Sequence, residues 1–151
     1  MIKLNFPSFE FKMMVKENQD WIFDPIRKKY VRLTPEEWVR QHLISYLLET
    51  REVPTGLLGV EKQISVNRLS RRFDVCIFGR NGLPLLLGEC KAPSIAITSE
   101  VFDQAARYNL VLKANYFIIT NGLEIFCCKM DFENKRYLFL DEIPVFSEMT
   151  A

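Results

Sequence analysis

Histidine is nearly missing from this chain. His42 is the only one in 151 residues. No partner marks it as a general base, so it reads as a packed or surface side chain. The four cysteines, Cys76, Cys90, Cys127 and Cys128, form no Cys-x-x-Cys pair. With one histidine beside them, a zinc site is set aside. All four lie in apolar strand-like runs and read as reduced core residues of a cytoplasmic protein. Cys127 and Cys128 are adjacent, so on a strand they point to opposite faces and make neither a disulfide nor a catalytic pair. No apolar run approaches the roughly 20 residues of a membrane-spanning helix. The first residues lack the basic start, apolar centre and small-residue cleavage site of a secretory signal. Net charge is +1, so no global basic field announces nucleic acid. Basic residues cluster locally instead, at Arg27-Lys28-Lys29 and at Arg68, Arg71 and Arg72.

What is present suits one domain over 1–151, with an N-terminal extension of 1–33 and a core of 34–140. An apolar content of 48% and a charged content of 26% are ordinary for a globular chain of this length. Residues 1–33 read as irregular or weakly stranded, with a short strand and turn over 21–26 and another strand over 29–33. Phe6, Phe9 and Phe11 are suited to covering a core rim. A helix begins at Thr34-Pro35-Glu36-Glu37. Thr34 is an N-cap, Pro35 suits the first helical position and Glu37 completes a capping box. Val39, Leu43, Tyr46 and Leu47 give it an apolar stripe, and it is expected to end between Glu49 and Glu52. Strands follow at 57–66, 73–78 and 85–91, then a helix capped by Ser99 or Thr98 that runs to about Lys113. Two further strands, 116–120 and 123–129, flank Asn121-Gly122, and 137–140 adds an edge strand. Residues 141–151 read as a loosely held tail. The order predicts an α/β fold, a mixed central sheet with helices against its faces.

One constellation stands out. Asp74 lies in the apolar run 73–78, and Glu89-Cys90-Lys91 closes the run 83–91. Buried strands carry charge only at a cost unless it is paired. Gly79-Arg80-Asn81-Gly82 supplies turn residues between the two runs. Counting outward from Asn81-Gly82 sets residue 74 near residue 89. Alternation puts Glu89 and Lys91 on one face and Cys90 on the other. Magnesium favours carboxylate oxygens. Asp74 and Glu89 are therefore candidate ligands, with the Cys90 backbone carbonyl as a natural third. Lys91 is placed to orient a water or stabilise charge on a phosphoryl group. A structural lysine–carboxylate cluster at a strand end explains the same residues equally well.

The ordered set of motifs resembles the PD-(D/E)xK nuclease superfamily, and more narrowly the N-terminal nuclease domain of type I restriction enzyme R subunits. The matching text is Leu33 through Gln41, Arg72-Phe73-Asp74-Val75, Gly88-Glu89-Cys90-Lys91-Ala92-Pro93, Phe102-Asp103-Gln104 with Arg107-Tyr108-Asn109, and Thr120-Asn121-Gly122. It covers roughly residues 30–130. The family pattern has proline before the first aspartate, where this chain has Phe73. The resemblance implies a restriction-endonuclease-like sheet and hydrolysis of a DNA phosphodiester with Mg²⁺, or Mn²⁺ as its substitute. It implies a Gln-x-x-x-Tyr pair, Gln104 and Tyr108, beside the metal. It also implies a first-helix glutamate, Glu36 or Glu37, in or near the metal site. Glu36 reads as lying on the inward stripe, and Glu61 reads as structural. Arg71 and Arg72 are candidate phosphate contacts. Expected partners are DNA, helicase or specificity subunits or a homodimer, and no membrane. No Gly-x-x-x-x-Gly-Lys-Ser/Thr loop occurs, so this chain alone is not expected to couple ATP to translocation. The rival expectation is a catalytically silent nucleic-acid-binding or assembly module of a restriction or DNA-repair complex.

Overall fold

The apolar dipeptides Leu86-Leu87, Ile118-Ile119 and Cys127-Cys128 each split across one sheet, the first member facing one helix and the second facing the other. A computed structural model describes residues 1–149. Six strands form the central sheet in chain order: β4 (Leu58–Val66), β5 (Leu69–Phe78), β6 (Pro84–Cys90), β7 (Tyr116–Thr120), β8 (Ile125–Asp131) and β9 (Arg136–Leu140). All neighbours are antiparallel except β6 and β7, which run parallel. The crossover between those two is α2 (Ser99–Leu112), as a parallel pair requires. The predicted α/β class and mixed sheet are therefore what the chain forms.

Helix α1 (Pro35–Ser45) covers one face of the sheet. Its Val39 and Leu43 are fully buried against Val75, Ile77, Leu86 and Ile118. Thr34 Oγ1 accepts from the Glu37 amide at 3.1 Å, which is half of the predicted capping box. The Glu37 carboxylate is turned instead to arginines and Gln41. The helix widens into a π turn over Tyr46–Thr50, within the expected end. Helix α2 covers the other face through Phe102, Ala105 and Ala106, packed on Cys76, Leu87, Phe117 and Ile119. Thr98 caps its start. Lys113, at φ 60°, ends it, and Asn109 clasps both the amide and the carbonyl of Ala114.

Three parts differ from the sequence expectation. Residues 1–33 contain a separate three-stranded antiparallel sheet of β1 (Met13–Lys16), β2 (Gln19–Asp24) and β3 (Lys29–Arg32). β1 was not foreseen. It is solvent-exposed and has no buried face to pattern it. Its turn, Glu17-Asn18, has both residues at positive φ, the two-residue geometry suited to a hairpin twist. The segment 141–149 is not loose. Ile143 and Met149 enter the α1-side core, and the Phe146 amide donates to the Arg51 carbonyl at 2.8 Å. β5 begins four residues earlier than expected, at Leu69, which brings Arg71 and Arg72 onto the sheet.

Candidate metal centre

The β5–β6 register pairs Val75 with Gly88 and Cys76 with Leu87, so Asp74 and Glu89 stand opposite one another one step further on. The expected nearness of residues 74 and 89 thus holds, although the register between them and the turn is not regular: Phe78 pairs with Pro84, and a shift between Ile77 and Phe78 supplies the last step. The faces are less regular. The β4–β5 ladder skips a step between Val60↔Val75 and Lys62↔Phe73. Glu61, at that step, has φ 54°. Across this irregularity the alternation slips: Val75 packs on the α1 side, and Phe73 packs on the α2 side. Asp74 sits at the slip and engages groups from α1 and from the end of β6. Its Oδ1 accepts from Arg40 at 2.7 Å and its Oδ2 from the Cys90 amide at 2.8 Å.

Glu89 is buried and ion-paired to Arg71. Burial pushes its carboxyl above the ordinary glutamate value. Arg71 and Lys91 oppose that push, and the negative charge of Asp74 adds to it. The two carboxylates are held by different guanidinium groups, Asp74 by Arg40 and Glu89 by Arg71. Lys91 follows the last residue of β6, and its amide donates to the Thr120 carbonyl of β7 at 2.8 Å. Its charge reaches both Glu89 and Glu36. Cys90 is buried on the α1 side, so its side chain and that of Glu89 diverge as predicted. Among the described residues no three His, Cys, Asp or Glu side chains form a ready-made metal cage.

The first-helix acids are placed the other way round from the stripe argument. Glu37 is the buried one; the Glu36 side chain is 49% exposed. A glutamate at the second helical position need not follow a stripe defined by later turns. Burial still raises the Glu36 carboxyl, and the charge of Asp74 adds to that, against the pull of Arg40 and Lys91. Glu36 thus borders the site, and Glu37 supports it from below.

That support was not read from the sequence. Arg40 lies on α1, its side chain 8% exposed. It reaches Asp74 at 2.7 Å, Glu37 at 3.0 Å, Glu61 at 3.5 Å and Glu36 at 3.8 Å. Arg27 joins Asp24, Glu37 and Glu61 in the same network. Asp24 is fully buried at the end of β2. Burial works to raise its pKa, but hydrogen bonds from Arg27 and Gln41 overcome this and hold it below the ordinary range. Glu61 is a structural node, as expected. The available signal was the i, i+3 and i, i+4 spacing of Glu36, Glu37 and Arg40 on a helix.

Gln104 and Tyr108 do share a face of α2. They line an open groove of about 420 Å³ with Leu69, Arg107 and Val111. Tyr108 is joined to the site through Arg71, whose guanidinium lies 4.3 Å from the centre of its ring. Gln104 is exposed on the groove. Arg72 is exposed on the other side of β5, 4.0 Å from Glu61. His42 is packed among Phe6, Phe9, Phe11 and Trp38, and burial lowers its pKa. The four cysteines are free and buried. No helix among the described residues is long and apolar enough to cross a membrane.

Among curated proteins none matches this chain. Among solved structures, the chain is similar to one described as a fragment of an HsdR subunit of a type I restriction enzyme from Vibrio vulnificus YJ016. The TM-score is 0.57 at 19% identity, over 78% of this chain. This chain spans 24% of that one, about a quarter of its length. At that identity the likeness speaks for the fold. The model of the type I restriction enzyme R protein N terminus matches residues 35–144, from the first residue of α1 to beyond β9. That span holds Asp74, Glu89, Lys91, Gln104 and Tyr108, and the chain belongs to the family of type I restriction enzyme R protein N-terminal domains.

Proposed function

We propose that this domain is a divalent-metal-dependent deoxyribonuclease that hydrolyses DNA phosphodiester bonds. The observation that carries the reading is the meeting of Asp74 with the end of β6. The Asp74 carboxylate holds the Cys90 amide, Glu89 stands opposite it, and the Lys91 charge reaches Glu89 and Glu36. Two carboxylates and a backbone carbonyl make an all-oxygen donor set, which is the chemistry magnesium selects.

Asp74, Glu89 and the Cys90 carbonyl would hold Mg²⁺, with Glu36 at the border; Mn²⁺ would substitute. When bound, the cation would supply charge stabilisation at a phosphoryl oxygen and a more acidic water. Lys91 holds a positive charge where negative charge develops and orients the attacking water. Tyr108 and Gln104 form a wall of the DNA-binding groove, and Arg71 and Arg72 meet phosphates on the two sides of β5. A net charge of +1 gives weak non-specific affinity, so helicase or specificity subunits or a second copy would help to deliver DNA. Four free, buried cysteines suit a cytoplasmic setting. The test is Mg²⁺-dependent cleavage of linear, circular and single-stranded DNA. Asp74→Asn and Lys91→Ala keep the fold and abolish cutting; equal cutting by wild type and both variants would refute the assignment.

One observation favours the second reading, a nucleic-acid-binding or assembly module without turnover. Both carboxylates are already neutralised by arginines, Asp74 by Arg40 and Glu89 by Arg71. Metal titration separates the readings. Mn²⁺ binding lost in Asp74→Asn supports catalysis, whereas DNA binding indifferent to metal and to Asp74 supports the module.

A further inference from the structure

The two arginines at the site are not equivalent. Arg40 is anchored by Glu36, Glu37 and Glu61 besides Asp74, and its side chain is 8% exposed. Removing it from Asp74 would still leave it three carboxylates. Arg71 is 27% exposed and, among the described residues, has Glu89 as its one carboxylate partner. Its other contacts are aromatic faces, Tyr108 at 4.3 Å and Phe73 at 5.5 Å. The Tyr108 ring also lines the open groove shared with Arg107 and Gln104. A guanidinium held over an aromatic face keeps part of its stabilisation when its carboxylate is taken away. Arg71 thus has a second seat, and Arg40 has no reason to move.

We propose that Arg71 is the displaceable counter-ion of Glu89: it occupies the cation position in the metal-free domain, yields it to a divalent ion, and turns along Tyr108 into the groove beside Arg107 to bind a DNA phosphate. Among the described residues Arg71 has no further carboxylate to offset a second cation at buried Glu89, as Arg40 has in Glu36, Glu37 and Glu61, so Arg71 and a divalent ion at Glu89 repel one another strongly. Metal entry and phosphate capture are then coupled, because the group that the metal expels is the group that the phosphate needs. This rests on the metal-site reading above and adds an order of events to it.

The experiment is calorimetric titration of the full chain with Mn²⁺, paired with ¹⁵N NMR of the arginine Nε–H signals during Mg²⁺ titration. Arg71→Gln binds Mn²⁺ about tenfold more tightly than wild type, since an opposing charge at this range shifts a carboxylate's ion affinity by one or more log units. Arg80→Gln, in the loop at the other end of β5, changes nothing. In the wild type the Arg71 signal moves as Mg²⁺ saturates and the Arg40 signal stays. Equal or weaker Mn²⁺ binding by folded Arg71→Gln, or an unmoved Arg71 signal at saturation, overturns the exchange. The NMR arm decides alone if that variant does not fold. Wild-type Mn²⁺ binding that persists in both Asp74→Asn and Glu89→Gln removes the metal site itself, and the exchange with it. Binding lost in those two but unchanged in Arg71→Gln leaves the site and removes only the exchange.

Discussion

Replacing Arg40 by methionine is the most informative perturbation of the fold beneath the site. Methionine keeps the aliphatic bulk and removes the charge. Breaking a buried ion pair by deleting one partner costs about 3–5 kcal/mol, because the abandoned charge stays buried. The contacts decide where in that range the loss falls. Glu37 keeps Arg27 at 2.9 Å, and Glu61 keeps Arg27 at 3.1 Å. The loss concentrates on Asp74, whose remaining hydrogen-bond partner among the described residues is the Cys90 amide. The Asp74 side chain is 19% exposed, so water relieves part of its charge. The expected loss is therefore at the low end, about 3 kcal/mol. For a chain of this size that is a drop in Tm of about 6–12 °C. Urea denaturation with a double-mutant cycle is the assay. Arg40→Met with Asp74→Asn recovers part of the loss, because the orphaned charge is gone. A loss below about 1 kcal/mol, or no recovery in the double variant, would refute the view that Arg40 holds Asp74 in place.

Other outcomes follow from burial elsewhere. Native protein resists a thiol reagent such as Ellman's, and all four cysteines react after denaturation. Burial pushes the thiols of Cys76, Cys127 and Cys128 up to about 12 and that of Cys90 well above its ordinary value. A stoichiometric fast phase in the native state would contradict this. Ile143→Ala costs about 2–5 kcal/mol in urea denaturation if residues 141–149 are part of the core, and under about 0.5 kcal/mol if they are a tail. Asp24 ionises more readily folded than unfolded. Its contribution to stability is present above the unfolded aspartate value of about 3.9 and is lost as pH falls from there through its lowered folded value. Asp24→Asn therefore flattens the acid limb of the stability curve, and an unchanged limb would contradict the assignment.

The parts legible in sequence were those governed by local rules. Alternation placed Cys127 and Cys128 on opposite faces, and turn chemistry at 79–82 brought Asp74 near Glu89, the last step coming from the register shift between Ile77 and Phe78. Thr34 and Thr98 marked the two helix starts. What went unread depended mostly on partners distant in the chain. Arg27 and Gln41 each bond both Asp24 and Glu37, and Arg40 bonds Glu37, which joins the β2 turn to a helix that starts eleven residues after Asp24. No periodicity encodes that meeting. Ile143 and Met149 looked like tail because isolated apolar residues among polar ones carry no period. The inversion of Glu36 and Glu37 came from extending a stripe into a first turn, where capping and ion pairing set the geometry instead. The slip at Asp74 is a tertiary feature tied to Glu61 on the neighbouring strand. Strict period-two reasoning would have aimed Asp74 away from Arg40.

Anomalous diffraction from crystals soaked in Mn²⁺ bears most directly on the central claim. One peak is expected at the end of β6, bounded by the carboxylates of Asp74 and Glu89 and the Cys90 carbonyl, with Arg71 moved off Glu89. Saturating Mn²⁺ that leaves no peak between the two carboxylates, with Arg40 and Arg71 still closing both of them, would contradict it.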